Sequence, residues 1–478
     1  LAAGSAFAAL LLLWAIVVRG PFLEAGPINH DDALYWMIGS AWRHGVLPYT
    51  QYWDLKPPGI FVLYAGADAV FGADPSGIRI FAMVSVWISG LALWALGTVR
   101  FGRPLAGAVA AILYVTYTRV WFGLACEPEL FQAPLTILAA LLVMQAGCSA
   151  RPRFEALVAG LMMGAAFTLK QTAALEGVFF CLYLGWRTRD LRRLLAFALG
   201  ALLPAASFAV YFAAHDQLGA LWDAAVVAAL HRTGGDASLA QAPVRFLFLL
   251  WPVAPLALGA GMAALKQLQL GSDVGGVGFL TSWLGVMCLG ILLMHAALQY
   301  YFLPLLAPLS LLCGLLVAAV LQTPGRAGIG AVAGLAVMVV FPFLYFPGTL
   351  EATLSASRTP QAISDYLKAE ARGRPMSLLV LDYDPYLYQA SGLRPVTNHP
   401  LPMQLVCPFP VGETAPGQMI ADAMANRPDF LVVSESRHRL KCELSARATL
   451  ALRLGGGAYR LDRRFKDPLS TLEVWRRY

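Results

Sequence analysis

Residues Asp31–Ile60 read DDALYWMIGSAWRHGVLPYTQYWDLKPPGI. This polar, aromatic-rich stretch opens on two adjacent carboxylates and closes on a Trp-Asp-x-Lys-Pro-Pro turn. Strongly apolar sequence flanks it on both sides. The chain has 478 residues, 58% hydrophobic and 13% charged, whereas a soluble domain is about a quarter charged. Apolar runs fall near 3–19, 77–98, 105–122, 131–147, 156–173, 175–186, 194–214, 244–263, 277–294, 300–321 and 328–347. Runs of this length predict a polytopic α-helical membrane protein with about eleven spans. The first run lacks the charged start and small-residue cleavage site of a signal peptide and reads as a retained helix.

Charge placement gives an orientation. Arg100, Arg103, Arg151, Arg153, Arg187, Arg189, Arg192, Arg193, Lys266 and Arg326 follow alternate spans. Asp31, Asp32, Asp54, Glu127, Glu129, Asp216, Asp223 and Asp236 lie in the loops of the opposite side. Positive-inside bias puts the N-terminus in the cytoplasm and the carboxylates outside. The net charge of +7 follows from this topology and does not call for nucleic acid. The expected layout is a membrane domain over 1–347, with its first outer loop at 20–76, and an outer α/β domain over 348–478. In the latter, SLLVLDYD (377–384), FLVVSES (430–436) and TLEVWRRY (471–478) read as strands. GQMIADAMANR and LSARATLALRLGGG read as helices, the second closed by glycines.

The cysteines show no metal-ligand spacing. Cys148, Cys181, Cys288 and Cys313 lie in or beside apolar runs and read as packing residues. Cys407 and Cys442 both fall in the outer domain, an oxidising setting if the topology holds. A bridge between them would close a loop of about 36 residues, worth about 3–4 kcal/mol on the chain-entropy model.

The carboxylates of the opening stretch have two readings. Asn29, Asp31 or Asp32 could simply cap a helix whose apolar positions Leu34, Met37, Ile38, Ala41 and Trp42 suit it to a membrane interface. YWDLKPPG could be a surface Asp–Lys pair on a proline-stiffened turn. Taken together, however, CEPEL (126–130), LKQTAAL (169–175), ALHRTGG (229–235) and HAALQYYFLPLLAPL (295–309) converge on the same membrane face. Lys170 stands alone in apolar sequence, at a tight turn between two spans. It either snorkels to the outer interface or meets an anion such as a phosphate.

HDDALYWMIGSAWRHGVLPYTQYWDLKPPGIFVLYA resembles the first periplasmic loop of bacterial GT-C glycosyltransferases, which include the dolichyl-phosphate-mannose–protein mannosyltransferase-like enzymes and the lipid A aminoarabinose transferases. GLMMGAAFTLKQTAAL and YYFLPLLAPLSLL are similar to later segments of those enzymes, in the same order. The resemblance covers about 30–310 and extends to the periplasmic C-terminal domain that many members carry. It implies a multi-pass protein of the bacterial inner membrane. The implied reaction is inverting transfer of a sugar from a polyprenyl-phosphate donor to a periplasmic glycan, lipid or protein acceptor. The acid–base carboxylate falls on Asp31. Its neighbour, usually Glu in the family, is Asp32. Asp54, Lys56, Pro57 and Pro58 match the loop's acidic-x-Lys-Pro-Pro element. Glu127 or Glu129 matches the acidic residue after the third helix, Lys170 the lysine that holds the lipid phosphate, and Tyr301 the tyrosine before the Leu-Pro step. Arg232 is a looser match to a further phosphate ligand.

These residue types suit the chemistry. A carboxylate takes the acceptor hydroxyl's proton, and cations or donors steady the departing phosphate. There is no phosphate-cradling glycine loop of the kind a nucleotide donor would need. No cofactor is required on this reading; a divalent metal on Asp31, Asp32 and Glu127 stays open, without a firm ligand pattern. Two rivals are a polysaccharide polymerase or ligase that uses a diphosphate-linked donor and a secondary transporter. The latter is expected to place its charges at mid-membrane and to repeat its halves.

Overall fold

The computed structural model describes residues 2–24, 29–72, 74–146, 150–231, 242–270, 274–293, 298–322, 327–345, 358–381, 383–401, 404–405, 416–434, 458–467 and 470–478. Helix α1 (Ala2–Arg19) leads into the first loop, which folds into α2 (His30–Arg43) and α3 (Gly59–Phe71). A bundle follows: α4 (Pro75–Val99), α5 (Pro104–Tyr117), α6 (Pro128–Gln145), α7 (Pro152–Leu169), α8 (Ala173–Thr188) and α9 (Leu191–Ala213). After a short bent helix over Leu218–His231 come α12 (Ala242–Leu250), α13 (Ala254–Leu270), α14 (Val274–Leu293), α15 (Leu306–Leu321) and α16 (Ala327–Tyr345), the bent helix being counted as α10 (Leu218–Trp222) and α11 (Ala229–His231). Each of the eleven apolar runs overlaps at least one described helix. Seven of the described helices are long and apolar enough to cross a membrane: Ala3–Phe22, Pro75–Val99, Pro128–Gln145, Leu191–Ala213, Pro243–Lys266, Gly275–Leu293 and Gln299–Leu321. Leu191, Leu195, Leu199, Leu202 and Val210 of α9 face outward. Such a belt suits lipid and not water.

Local chemistry sets the boundaries. Proline, whose missing N–H costs nothing in a first turn, opens α4, α5, α6 and α7. Asp74 caps α4 by accepting from the Ser76 amide at 2.8 Å. The run expected to continue to 122 is helical only to Tyr117; a turn follows in which Trp121 and Phe122 adopt positive φ (56° and 61°). The turn they make lets Arg19, at the end of α1, donate to the carbonyls of Gly123 (2.5 Å) and Leu124 (3.4 Å). Helices α7 and α9 pack backbone to backbone. A Cβ at Gly160 or Gly164 would run into the carbonyls of Phe197 or Ala201, the small-residue contact typical of membrane helices.

The C-terminal part forms a mixed five-stranded sheet: β1 (Ser377–Val380), β2 (Arg394–Pro395), β3 (Phe430–Ser434), β4 (Tyr459–Asp467) and β5 (Ser470–Arg477), in the order β2-β1-β3-β5-β4. β1 runs parallel to β2 and β3; β5 is antiparallel to β3 and β4. Alternation along β1 sends Leu378 and Val380 to one core and Leu379 and Leu381 to another. Strands at 377, 430 and 470 and a helix over Pro416–Ala425 agree with the sequence reading. β4 and the helix Arg358–Ala371 are additional. The helix expected in LSARATLALRLGGG and both Cys407 and Cys442 lie outside the described residues.

The sheet region docks on the first loop. Met37 of α2 joins the core of Ile363, Leu378 and Phe430. The Trp53 amide donates to the Asn398 carbonyl at 2.8 Å, and His30 Nδ1 lies 2.9 Å from Asp384 Oδ2. Helix α2 therefore does not lie on a membrane surface with one face free. All residues from Asp32 to Gly39 are buried, enclosed by α3 on one side and the sheet region on the other.

Candidate active site

Asn29 occupies the N-cap position of α2 but makes no capping bond. Its side chain instead donates to Glu127 Oε1, across the mouth of the bundle. The carboxylates of α2 are likewise not caps. Successive helix residues diverge by about 100°, so Asp31 and Asp32 face different surroundings.

Asp31 points toward the Lys56 turn. Its Oδ2 accepts from the Tyr35 hydroxyl one turn on (3.2 Å) and lies 3.6 Å from Lys56 Nζ. Lys56 also sits over the Tyr35 ring, 5.3 Å from its centroid. The turn that delivers Lys56 is held by its backbone. Tyr49 donates to the Lys56 carbonyl (2.7 Å), and Asp54 Oδ1 accepts from the Leu55 amide (2.6 Å). Gln171 Nε2 reaches the Leu55 carbonyl at 2.8 Å and the Ala225 carbonyl at 3.0 Å. This glutamine thus ties the first loop, the α7–α8 turn and the bent helix together.

Asp32 turns inward. Its Oδ1 accepts from the Cys126 amide (3.0 Å) and the Tyr64 hydroxyl (3.2 Å). Burial raises its pKa from 3.8 to about 7, against the pull of Arg79 and these two hydrogen bonds. Glu127 is held well above the usual carboxylate range, first by burial and then by the negative charges of Asp31, Glu129 and Asp32.

Lys170 caps the C-terminus of α7, at the expected tight turn. It does not snorkel. Its side chain is 2% exposed; the ammonium pairs with Glu129 of α6 and lies 4.3 and 4.2 Å from the ring centroids of Tyr300 and Tyr301. Tyr301 thus meets Lys170 through its ring face; the leaving-group chemistry had called for its hydroxyl. Tyr300 was missed, although it stands beside Tyr301 in QYYFLP. Gln132, one turn beyond Glu129 and 1% exposed, was also missed; neither of its side-chain polar atoms has a hydrogen-bond partner. Glu127 Oε2 and Glu129 Oε2 are likewise buried without one. Buried polar atoms without a protein partner are uncommon in folded proteins.

Asp31, Asp32, Asp54, Lys56, Glu127, Glu129, Lys170 and Tyr301 therefore gather at one end of the bundle, beneath the sheet region. Arg232 lies outside the described residues. Among the described residues, no three His, Cys, Asp or Glu side chains are grouped to hold a metal ion.

A family model described as dolichyl-phosphate-mannose-protein mannosyltransferase matches residues 55–213, less than half of the chain. The match includes Lys56, Glu127, Glu129 and Lys170 but begins after Asp31 and Asp32. No curated protein matches in sequence. Among solved structures, ArnT from Cupriavidus metallidurans bound to undecaprenyl phosphate superposes with a TM-score of 0.69 at 13% identity, over 98% of this chain and 97% of that one. Its apo form gives 0.69 at 15% identity, over 99% and 98%. The oligosaccharyltransferase of Archaeoglobus fulgidus gives 0.56 at 12% identity, over 90% of this chain and 69% of that one. The superposition with ArnT takes in the helical bundle and the sheet region alike: the chain is a membrane protein with the GT-C glycosyltransferase fold.

Proposed function

We propose that this protein is an inverting glycosyltransferase of the bacterial inner membrane. It takes a sugar from a polyprenyl-phosphate donor and passes it to a hydroxyl of a periplasmic glycan, lipid or protein. The observation that carries the reading is the Asp31–Lys56 pair: a carboxylate and an ammonium 3.6 Å apart at the mouth of a GT-C bundle. That spacing exceeds a direct hydrogen bond, and it sets a proton acceptor beside a cation. Asp31 removes the acceptor proton as the hydroxyl attacks the anomeric carbon. The bond from the anomeric carbon to the phosphate oxygen breaks, and Lys56 meets the charge that develops on the phosphate. Lys170, Tyr301 and Arg232 complete the phosphate side of this assignment, with Glu129 holding Lys170 in place. Asp54 and Glu127 shape the field around the base. The division into a catalytic region over 1–347 and a periplasmic domain over 348–478 belongs to the same proposal.

Two relatives in fold support the choice of donor. ArnT was crystallised with undecaprenyl phosphate, and the Archaeoglobus fulgidus enzyme AglB with dolichol-phosphate and an inhibitory peptide. The test is transfer by the purified protein in nanodiscs, supplied with polyprenyl-phosphate sugars and envelope extract. The product's anomeric configuration is then read by NMR. Transfer with inversion is expected. Activity confined to diphosphate-linked donors, or solute movement with no bond formed, would overturn the proposal in favour of the two rivals.

A further inference from the structure

Lys56 leaves the backbone from a turn that has no helix or strand to hold it. Residues 51–58 form neither, and the prolines at 57 and 58 bring no backbone N–H. Side chains fix the turn instead, and they do so at the two peptide planes that flank the Lys56 Cα. The plane after it carries the Lys56 carbonyl, which accepts from the Tyr49 hydroxyl at 2.7 Å. Tyr49 itself takes up a left-handed backbone (φ 72°), uncommon for a bulky side chain. The plane before it carries the Leu55 carbonyl, which accepts from Gln171 at 2.8 Å. A peptide unit is rigid, so with both planes held the direction of the Lys56 side chain is set.

Gln171 is the partner that comes from outside the loop. It follows Lys170 in the α7–α8 turn, and its Nε2 also donates to the Ala225 carbonyl at 3.0 Å. Two carbonyl acceptors fix which way the amide faces, because an oxygen in that place would meet two oxygens. Ala225 lies in a π-helical turn of the bent helix, Asp223–Ala228. Such turns are rare and recur at functional sites. The loop also meets the end of α7 through its backbone. A Cβ at Gly59 would come within 2.5 Å of the Thr168 carbonyl oxygen. That close approach docks the loop, whereas the Gln171 bond falls on the peptide that begins Lys56.

We propose that Gln171 is a positioning residue for the phosphate side of the transfer. Its amide pins Lys56 to the turn that carries Lys170, so that the two lysines are presented to the lipid phosphate at a fixed spacing. The inference rests on the proposed donor, whose phosphate both lysines meet. A bond that only satisfied a buried carbonyl would add to stability and leave Lys56 unaffected.

The test is a double-mutant cycle of Gln171→Met and Lys56→Met, read as undecaprenyl phosphate affinity of the full-length protein in nanodiscs. Methionine keeps the length of glutamine and removes both donors. Gln171→Met should weaken binding about tenfold when Lys56 is present, on the scale of a lost charge-assisted contact. It should weaken binding less than about twofold when Lys56 is already methionine, because the two changes then remove one shared effect. Gln171→Asn, one methylene shorter with its donors retained, should fall between wild type and Gln171→Met. It carries the cycle if thermal midpoints show that Gln171→Met does not fold. The same loss with and without Lys56, or no loss in either, would overturn the positioning role and leave Gln171 a structural residue. A wild type that binds no undecaprenyl phosphate, or binds it equally well as Lys56→Met, would instead overturn the donor assignment and this inference with it.

Discussion

Two lysine–carboxylate pairs stand at the mouth of this bundle, and they are built differently. Lys170 and Glu129 are in direct contact, with side chains 2% and 0% exposed, and two tyrosine rings close over the ammonium. Lys56 and Asp31 stand 3.6 Å apart, and the Asp31 side chain keeps 16% of its surface. A tight buried pair chiefly avoids the cost of an isolated charge. The Asp31–Lys56 pair is the looser of the two, and its carboxylate is the more exposed. On the proposed function, the Asp31–Lys56 pair carries out the transfer and the Lys170–Glu129 pair supports the phosphate side.

Breaking the open pair should have the largest effect. Asp31→Asn should lower the transfer rate about 10²–10⁴-fold while thermal stability and prenyl-phosphate affinity stay near wild type. Normal turnover in this variant, with Asp32→Asn inactive, would move the base by one residue.

The closed pair should respond through stability. Lys170→Ala leaves Glu129 charged and buried and should cost about 3–5 kcal/mol, whereas Lys170→Met with Glu129→Leu should recover most of that loss. Chemical denaturation in detergent compares the two. The single variant should also bind prenyl phosphate more weakly. Unchanged affinity would leave Lys170 a purely structural residue.

Asp32 sharpens the contrast through pH. Its folded pKa is raised to about 7 from 3.8, so its stability contribution is fully present below about pH 4. It falls as pH rises toward 7, where the folded carboxyl loses its proton. Asp32→Asn should therefore gain in thermal midpoint relative to wild type between pH 4 and 7. A constant difference across that window would contradict the shift.

The smallest effect is expected at His30–Asp384, where the histidine side chain is 44% exposed. His30→Ala should change stability by about 1 kcal/mol or less, since Met37 and Trp53 still anchor the sheet region. A larger loss in denaturation would make this pair the main link between the two regions.

Features fixed by nearby residues were legible in the sequence. The apolar runs became helices, and Lys170 fell at the α7–α8 turn, because periodicity and punctuation are local signals. The Lys56 turn was readable for the same reason. Features made by distant residues were not. Glu127 and Glu129 are two residues apart, and only the fold shows that one accepts from Asn29 and the other from Lys170. The surroundings of Asp32 need the start of α4 and Tyr386 to meet α2, which no pattern within α2 announces. Strand β4 escaped notice because RLDRRFKD carries charge at most positions. That suits an edge strand, and β4 is one.

The central claim is that the open Asp31–Lys56 pair transfers a sugar from a polyprenyl phosphate. Mass spectrometry of lipid-linked sugars and envelope glycans, in cells lacking this gene and complemented by wild type or by Asp31→Asn, tests it most directly. One polyprenyl-phosphate sugar should accumulate and one residue should disappear from a surface glycan, both corrected by wild type and neither by Asp31→Asn. An unchanged lipid-linked pool in the deletion, or full correction by Asp31→Asn, would contradict the claim.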